Sequence, residues 1–127
     1  MIAYFASDLV WATRIKACAD DLGLPARPVR NLDMLNARLG DSPVRGLIVD
    51  LDQPETATAL IRRAREWSST ESPTEHAARS PIRIVAFGPH VETEALGEAR
   101  RLGADAVMTR GAFHARLADV LRDLGRP

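Results

Sequence analysis

The sequence predicts an α/β fold: a five-stranded parallel sheet with helices on both faces. Three observations carry that expectation. Short apolar runs recur five times in the 127 residues, and each is followed by a segment whose apolar residues repeat at helical spacing. The connections are short, so each strand returns parallel to the last through a helical crossover. The runs at 45–51 and 82–88 are apolar nearly throughout, as in strands covered on both faces.

Each element has its own warrant. "IAYFA" (2–6) is a strand with a polar exit at Ser7-Asp8. From Leu9 to Leu22, Val10, Trp11, Ile15, Cys18, Ala19 and Leu22 follow a helical repeat, which Gly23 stops. "ARPVR" (26–30) is polar and contains Pro28, which suits a sheet edge. Asn31 is the expected N-cap of a helix over 32–39, with Gly40 as its stop. "RGLIVDL" (45–51) is the most hydrophobic strand and the expected centre of the sheet. Pro54 suits the first turn of a helix over 54–67. The Ser/Thr-rich stretch 68–80 reads as a polar surface loop within a single domain spanning 1–127. "IRIVAFG" (82–88), a helix over 92–102 closed at Gly103, "AVMTR" (106–110) and a last amphipathic helix over 112–124 complete the alternation.

Composition narrows the function. Apolar residues make up 46% and charged residues 27%, which excludes a disordered chain. No apolar run approaches the ~20 residues of a membrane helix, and "MIAYFASD" has no basic leader. Cys18 alone allows neither an internal disulfide nor a four-cysteine metal site, so a cytoplasmic location is expected. Seventeen basic residues balance seventeen acidic ones. No net charge draws the protein to nucleic acid or anionic lipid, and neither is expected as a partner. Lys16 is the only lysine, and the arginine groups Arg62-Arg63-Arg65 and Arg100-Arg101 read as solvated helix faces.

In a parallel sheet, chemistry gathers at the carboxyl ends of the strands. Those ends bring Ser7, Asp8, Asp50, Asp52, His90 and Arg110 to one rim, as candidates for contact with a small anion. Each has a plainer reading beside it. Ser7-Asp8 suits a cap on the first helix, Asp52 a favourable charge before a helix N-terminus, and His90 a loop histidine ahead of a helix. Cys18 reads as core packing, and Trp11 and Trp67 as core or a partner surface. The sequence has no Gly-rich phosphate loop, nucleophile elbow or His–carboxylate pair at metal-ligand spacing. No metal, other cofactor or enzymatic activity is expected.

With "VDLDQP", "PIRIVAF" and "LGADAVMTRGAF" in place, the chain resembles the receiver domain of two-component response regulators over nearly its whole length. The resemblance implies a flavodoxin-like (βα)5 fold. It also implies a site with an acidic magnesium-holding pair after the first strand and a phosphoacceptor aspartate after the third. A hydroxyl residue after the fourth strand and a lysine after the fifth would complete it. Asp50 matches the phosphoacceptor. Ala6 and Ser7 stand at the acidic pair, Ala86 at the hydroxyl, Val107 at the aromatic switch position, Arg110 at the lysine and Gly111 at the proline after it. Magnesium takes octahedral oxygen ligation, usually from one or two carboxylates and substrate phosphates, and these departures remove most of that set. An arginine fork does not replace a lysine point charge. The residues therefore suggest that Arg110 pairs with Asp50, directly or through water.

The function expected is that of a stand-alone degenerate receiver (a pseudo-receiver) in two-component signalling. It would act by protein–protein interaction with another signalling protein, without magnesium-dependent aspartyl phosphorylation. A homodimer is left open. The alternatives are a phosphorelay receiver accepting phosphate at Asp50 and a small-anion-binding domain using the rim.

Overall fold

In the computed structural model, residues 1–69, 81–88 and 93–125 are described. The alternation predicted from the sequence is present. Strands β1 (Ile2–Phe5), β2 (Ala26–Pro28), β3 (Gly46–Asp50), β4 (Arg83–Gly88) and β5 (Ala106–Thr109) form one parallel sheet in the order β2-β1-β3-β4-β5. Helices α1 (Leu9–Asp21), α2 (Leu32–Asp41), α3 (Pro54–Ser69) and α4 (Thr93–Arg101) connect them, and α5 (Arg110–Ala115) and α6 (Leu117–Leu124) follow the last strand. The order reverses direction between β1 and β3, the place where open α/β sheets gather ligands.

Alternation along the buried strands sorts side chains onto two faces. Ala3, Phe5, Leu47, Val49, Ile84 and Ala86 join α2, α3 and α4 in one apolar layer. Ile2, Tyr4, Ile48, Val85 and Phe87 join α1, α5 and α6 in the other. The central strand β3 is wholly buried, as its composition predicts. β2 is an edge strand, but it stops at Pro28, shorter than the expected 26–30.

Capping explains several boundaries. Asn31 accepts a hydrogen bond from the Met34 amide at 2.9 Å, as expected of an N-cap. Gly23 and Gly103 follow α1 and α4 with φ of 69° and 107°, conformations that ask for glycine.

Four expectations need correction. Gly40 does not stop α2, which runs on to Asp41 and ends at Ser42; a glycine in a helix costs only about 1 kcal/mol, less than the packing of Leu35 and Leu39 returns. Ser68 and Ser69 belong to α3, not to the polar stretch after it, and residues 70–80 lie outside the described residues. Arg110 opens α5 instead of ending β5, because Thr109 Oγ1 accepts from the Ala112 amide and starts the helix there. The last helix is two helices, broken at Arg116 (φ −114°, ψ 16°).

Candidate functional site

Asp50 is the last residue of β3 and the one fully buried charged side chain among the described residues, at 0% exposure. A buried carboxylate is tolerable only when its oxygens are satisfied. Oδ2 accepts from the Ser7 amide at 3.0 Å and from the Ser7 hydroxyl at 2.6 Å. Oδ1 accepts from the Asp52 amide at 3.0 Å. β1 lies beside β3 in the sheet, so the residue just past β1 meets the end of β3 directly. Ser7 thus holds Asp50 from one side, and the turn after β3 holds it from the other.

The guanidinium of Arg110 arrives from two strands away. Its Nη2 lies 3.7 Å from Asp50 Oδ1 and in direct contact with Asp52 Oδ2. The expected Arg110–Asp50 contact is present as charge proximity, while the closer ion-pair partner is Asp52. Burial alone would pull the Arg110 pKa down. The direct contact with Asp52 and the charges of Asp52, Asp50 and Asp8 outweigh it and hold the pKa above its ordinary value.

Beneath the site lies an aromatic stack. Phe87, opposite Asp50 in the sheet register, stacks face to face on Phe113 of α5, with ring centroids 4.2 Å apart. Trp11 of α1 closes over both at 5.1 and 5.7 Å, and Arg14 lies 5.4 Å from its ring. Arg110 and Phe113 occupy the same short helix, so the charged contact and the aromatic one fix α5 together.

The structure brings together four of the rim candidates: Ser7, Asp50, Asp52 and Arg110. Asp8 is spent elsewhere, since its Oδ1 accepts from the Trp11 amide at 2.8 Å and caps α1. Only its charge reaches Arg110. Asp52 does more than favour a helix N-terminus, because it is the direct partner of Arg110. His90 lies outside the described residues. Ala86 presents a buried methyl, Val107 is half-buried against the α2–α4 layer, and Gly111 is exposed in the first turn of α5. Cys18 is only half-buried. Trp11 is core, and Trp67 packs partly buried against the opposite layer beneath Arg63. The reach of Ser7 to Asp50 is not evident from residue types, because a serine after a strand looks like any cap.

These residues do not fit a magnesium ion. Asp50 has no exposed surface, the Ser7 hydroxyl is given to it, and a guanidinium stands against both carboxylates. Among the described residues no group of three or more His, Cys, Asp or Glu is arranged to hold a metal.

No protein-family model matches the sequence, and no curated protein does. Solved structures do. A response regulator from Thermotoga maritima superposes with a TM-score of 0.73 at 14% identity, over 97% of this chain and 94% of that one. The receiver domain of NtrX from Brucella abortus gives 0.74 at 18% identity, over 98% and 97%. A response regulator protein from Burkholderia pseudomallei, solved with a phosphorylated aspartic acid, a calcium ion and citrate, gives 0.70 at 17% identity, over 94% and 65%. The protein has the flavodoxin-like fold of receiver domains, and at these identities the likeness extends to the fold alone.

Proposed function

We propose that this protein is a degenerate receiver-like signalling module in the cytoplasm that works by binding another signalling protein. In this reading Asp50 anchors the site and is not a phosphoacceptor. The observation that carries it is the carboxylate itself: 0% exposed, with three hydrogen bonds from Ser7 and Asp52 and the Arg110 charge beside it. To take a phosphoryl group, Asp50 would have to give up those bonds. Three new anionic oxygens would then meet Asp52 with no metal to offset them. Among the described residues, no helix is long and apolar enough to cross a membrane. The small-anion alternative is disfavoured because Arg110, the cation it would use, already faces two carboxylates.

The test is incubation with acetyl phosphate and magnesium, followed by intact mass measurement. The expected result is an unchanged mass. A phosphoryl adduct that disappears in Asp50→Asn would establish the phosphorelay alternative instead.

A further inference from the structure

A groove of about 440 Å³ runs between α1 and the edge strand β2, on the face opposite α2 and away from Arg110. Its floor is Tyr4 and Pro28, and its α1 wall carries Ala12 and Ala17, side chains too small to fill it; the Val29 side chain packs on the other face. Pro28 lies beside Tyr4 in the register and the Val29 amide donates to the Tyr4 carbonyl at 2.9 Å, so the edge strand covers the Tyr4 backbone while its ring lines the groove.

Tyr4 is 4% exposed, yet among the described residues its hydroxyl makes no hydrogen bond. Burial, with a smaller contribution from Asp20, raises the phenol pKa against the opposing charge of Lys16, so the group is a neutral donor at ordinary pH. The hydroxyl reaches solvent at the groove, so it can donate to a ligand in place of water, and a few such polar groups on an apolar lining orient a small molecule. Charge gives the ligand its sign. Lys16 is paired with Asp20 at 2.9 Å, whereas Arg30, on the opposite wall, has no charge partner among the described residues. At the mouth, Leu9 is 80% exposed and adds uncovered apolar surface. The volume falls within the roughly 300–1,000 Å³ of small-molecule pockets.

We propose that this groove binds a small amphipathic monoanion, an aromatic or alkyl carboxylate or sulfonate. Its apolar body lies on Tyr4 and Pro28, its acidic group meets Arg30, and the Tyr4 hydroxyl donates to it. The proposal is independent of the signalling reading. It nonetheless touches the Asp50 site, because Ala6 lines the groove and the next residue, Ser7, holds Asp50. A bound ligand therefore rests against the segment that anchors the buried carboxylate.

The experiment is a titration of the wild-type protein with 8-anilinonaphthalene-1-sulfonate, followed by fluorescence and by amide chemical shifts. Binding should saturate at one equivalent, with a Kd of about 10–100 μM for a ligand of this size. The shifts should centre on Ala6, Thr13, Ala17 and Val29. Arg30→Glu should weaken binding about tenfold or more, the loss expected for a hydrogen bond to a charged group. Ala17→Leu should weaken it by filling the groove, and Tyr4→Phe should weaken it without changing stoichiometry. Arg30 and Ala17 are exposed, so both variants should keep the wild-type circular dichroism. The uncharged analogue N-phenyl-1-naphthylamine should bind more weakly than the sulfonate. Non-saturating fluorescence, equal affinity in Arg30→Glu and Ala17→Leu, equal affinity for the uncharged analogue, or shifts centred on β5 and α6 would each overturn the proposal.

Discussion

Arg110 faces two carboxylates of unequal burial, and the two contacts differ in kind. Asp52 is half-exposed and bonded directly; Asp50 is fully buried and 3.7 Å away without a hydrogen bond. Exposed ion pairs couple by about 0.2–1 kcal/mol, because water screens them and long side chains lose entropy. Burial weakens that screening, so coupling to Asp50 should be larger despite the distance, about 1–3 kcal/mol. Double-mutant cycles pairing Arg110→Ala with Asp50→Ala and with Asp52→Ala, read by denaturant unfolding, measure both. The reverse order would mean that solvent reaches Asp50. Asp50→Ala alone should cost about 2–4 kcal/mol, because it strands the Ser7 donors as well as the charge. Titration at high pH gives a second expectation. Burial comes first in raising both the Tyr4 phenol and the Cys18 thiol. Folding therefore favours their neutral forms, and that contribution is complete below their ordinary values of 10.0 and 9.0. It is lost as pH rises through the raised folded values. The Met1 ammonium, lowered by burial and then by Arg45, acts in the opposite sense: its contribution grows as pH rises from its lowered folded value and is complete above 8.0. Urea midpoints should rise slightly near pH 8 and then fall in the alkaline range, and the fall should diminish in Tyr4→Phe.

At the scale of elements, the start of β4 is held by two side chains rather than by the ladder alone. Asp105 Oδ2 accepts from the Ile84 amide at 2.7 Å and pairs with Arg65 of α3 at 2.5 Å. The Ser68 hydroxyl accepts from the Ile82 amide and donates to the Ala64 carbonyl. Asp105→Ala should cost about 1–3 kcal/mol, since it leaves a partly buried amide without its acceptor. Amide exchange should show the loss concentrated at Ile84. A uniform loss across the sheet would mean that Asp105 acts only through its charge. Helices and strands were largely legible in the sequence, because apolar spacing and caps such as Asn31 are local. The break at Arg116 was not, since Phe113, Leu117, Leu121 and Leu124 keep one helical phase across it. Thr109 starts α5 at the strand exit, and Phe113 must reach Phe87; both conditions come from the sheet, which a periodic pattern does not register. Ser7 was hidden for a related reason. Its partner is 43 residues away, and only strand adjacency brings the two together.

For the molecule as a whole, the sheet is the shared wall of two apolar layers. Each layer contains one tryptophan: Trp11 in the layer with α1, α5 and α6, and Trp67 against the layer with α2, α3 and α4. Both layers pack on the same sheet, sharing β1, β3, β4 and β5, so neither has a core that persists without the other. Unfolding is therefore expected to be one cooperative transition. Trp11→Phe and Trp67→Phe leave a single reporter on opposite faces. In each variant the fluorescence midpoint in urea should coincide with the circular dichroism midpoint of that same variant. Separate midpoints would mean that one layer melts first. The central place of β3 was legible at this scale, because the most apolar strand is the one that both layers cover; the order of the other four strands was not, since apolarity alone does not rank them.

The bond from the Ser7 amide to the buried Asp50 carboxylate has a consequence in isotope exchange. Ser7 belongs to no strand or helix, and amides in such positions ordinarily trade hydrogen for deuterium quickly. This one can exchange only when Asp50 releases it, which requires the end of β3 to open. Its protection should therefore match that of the Val49 and Asp50 amides, and a drop confined to Ser7 would show the anchor detaching while the sheet stays closed.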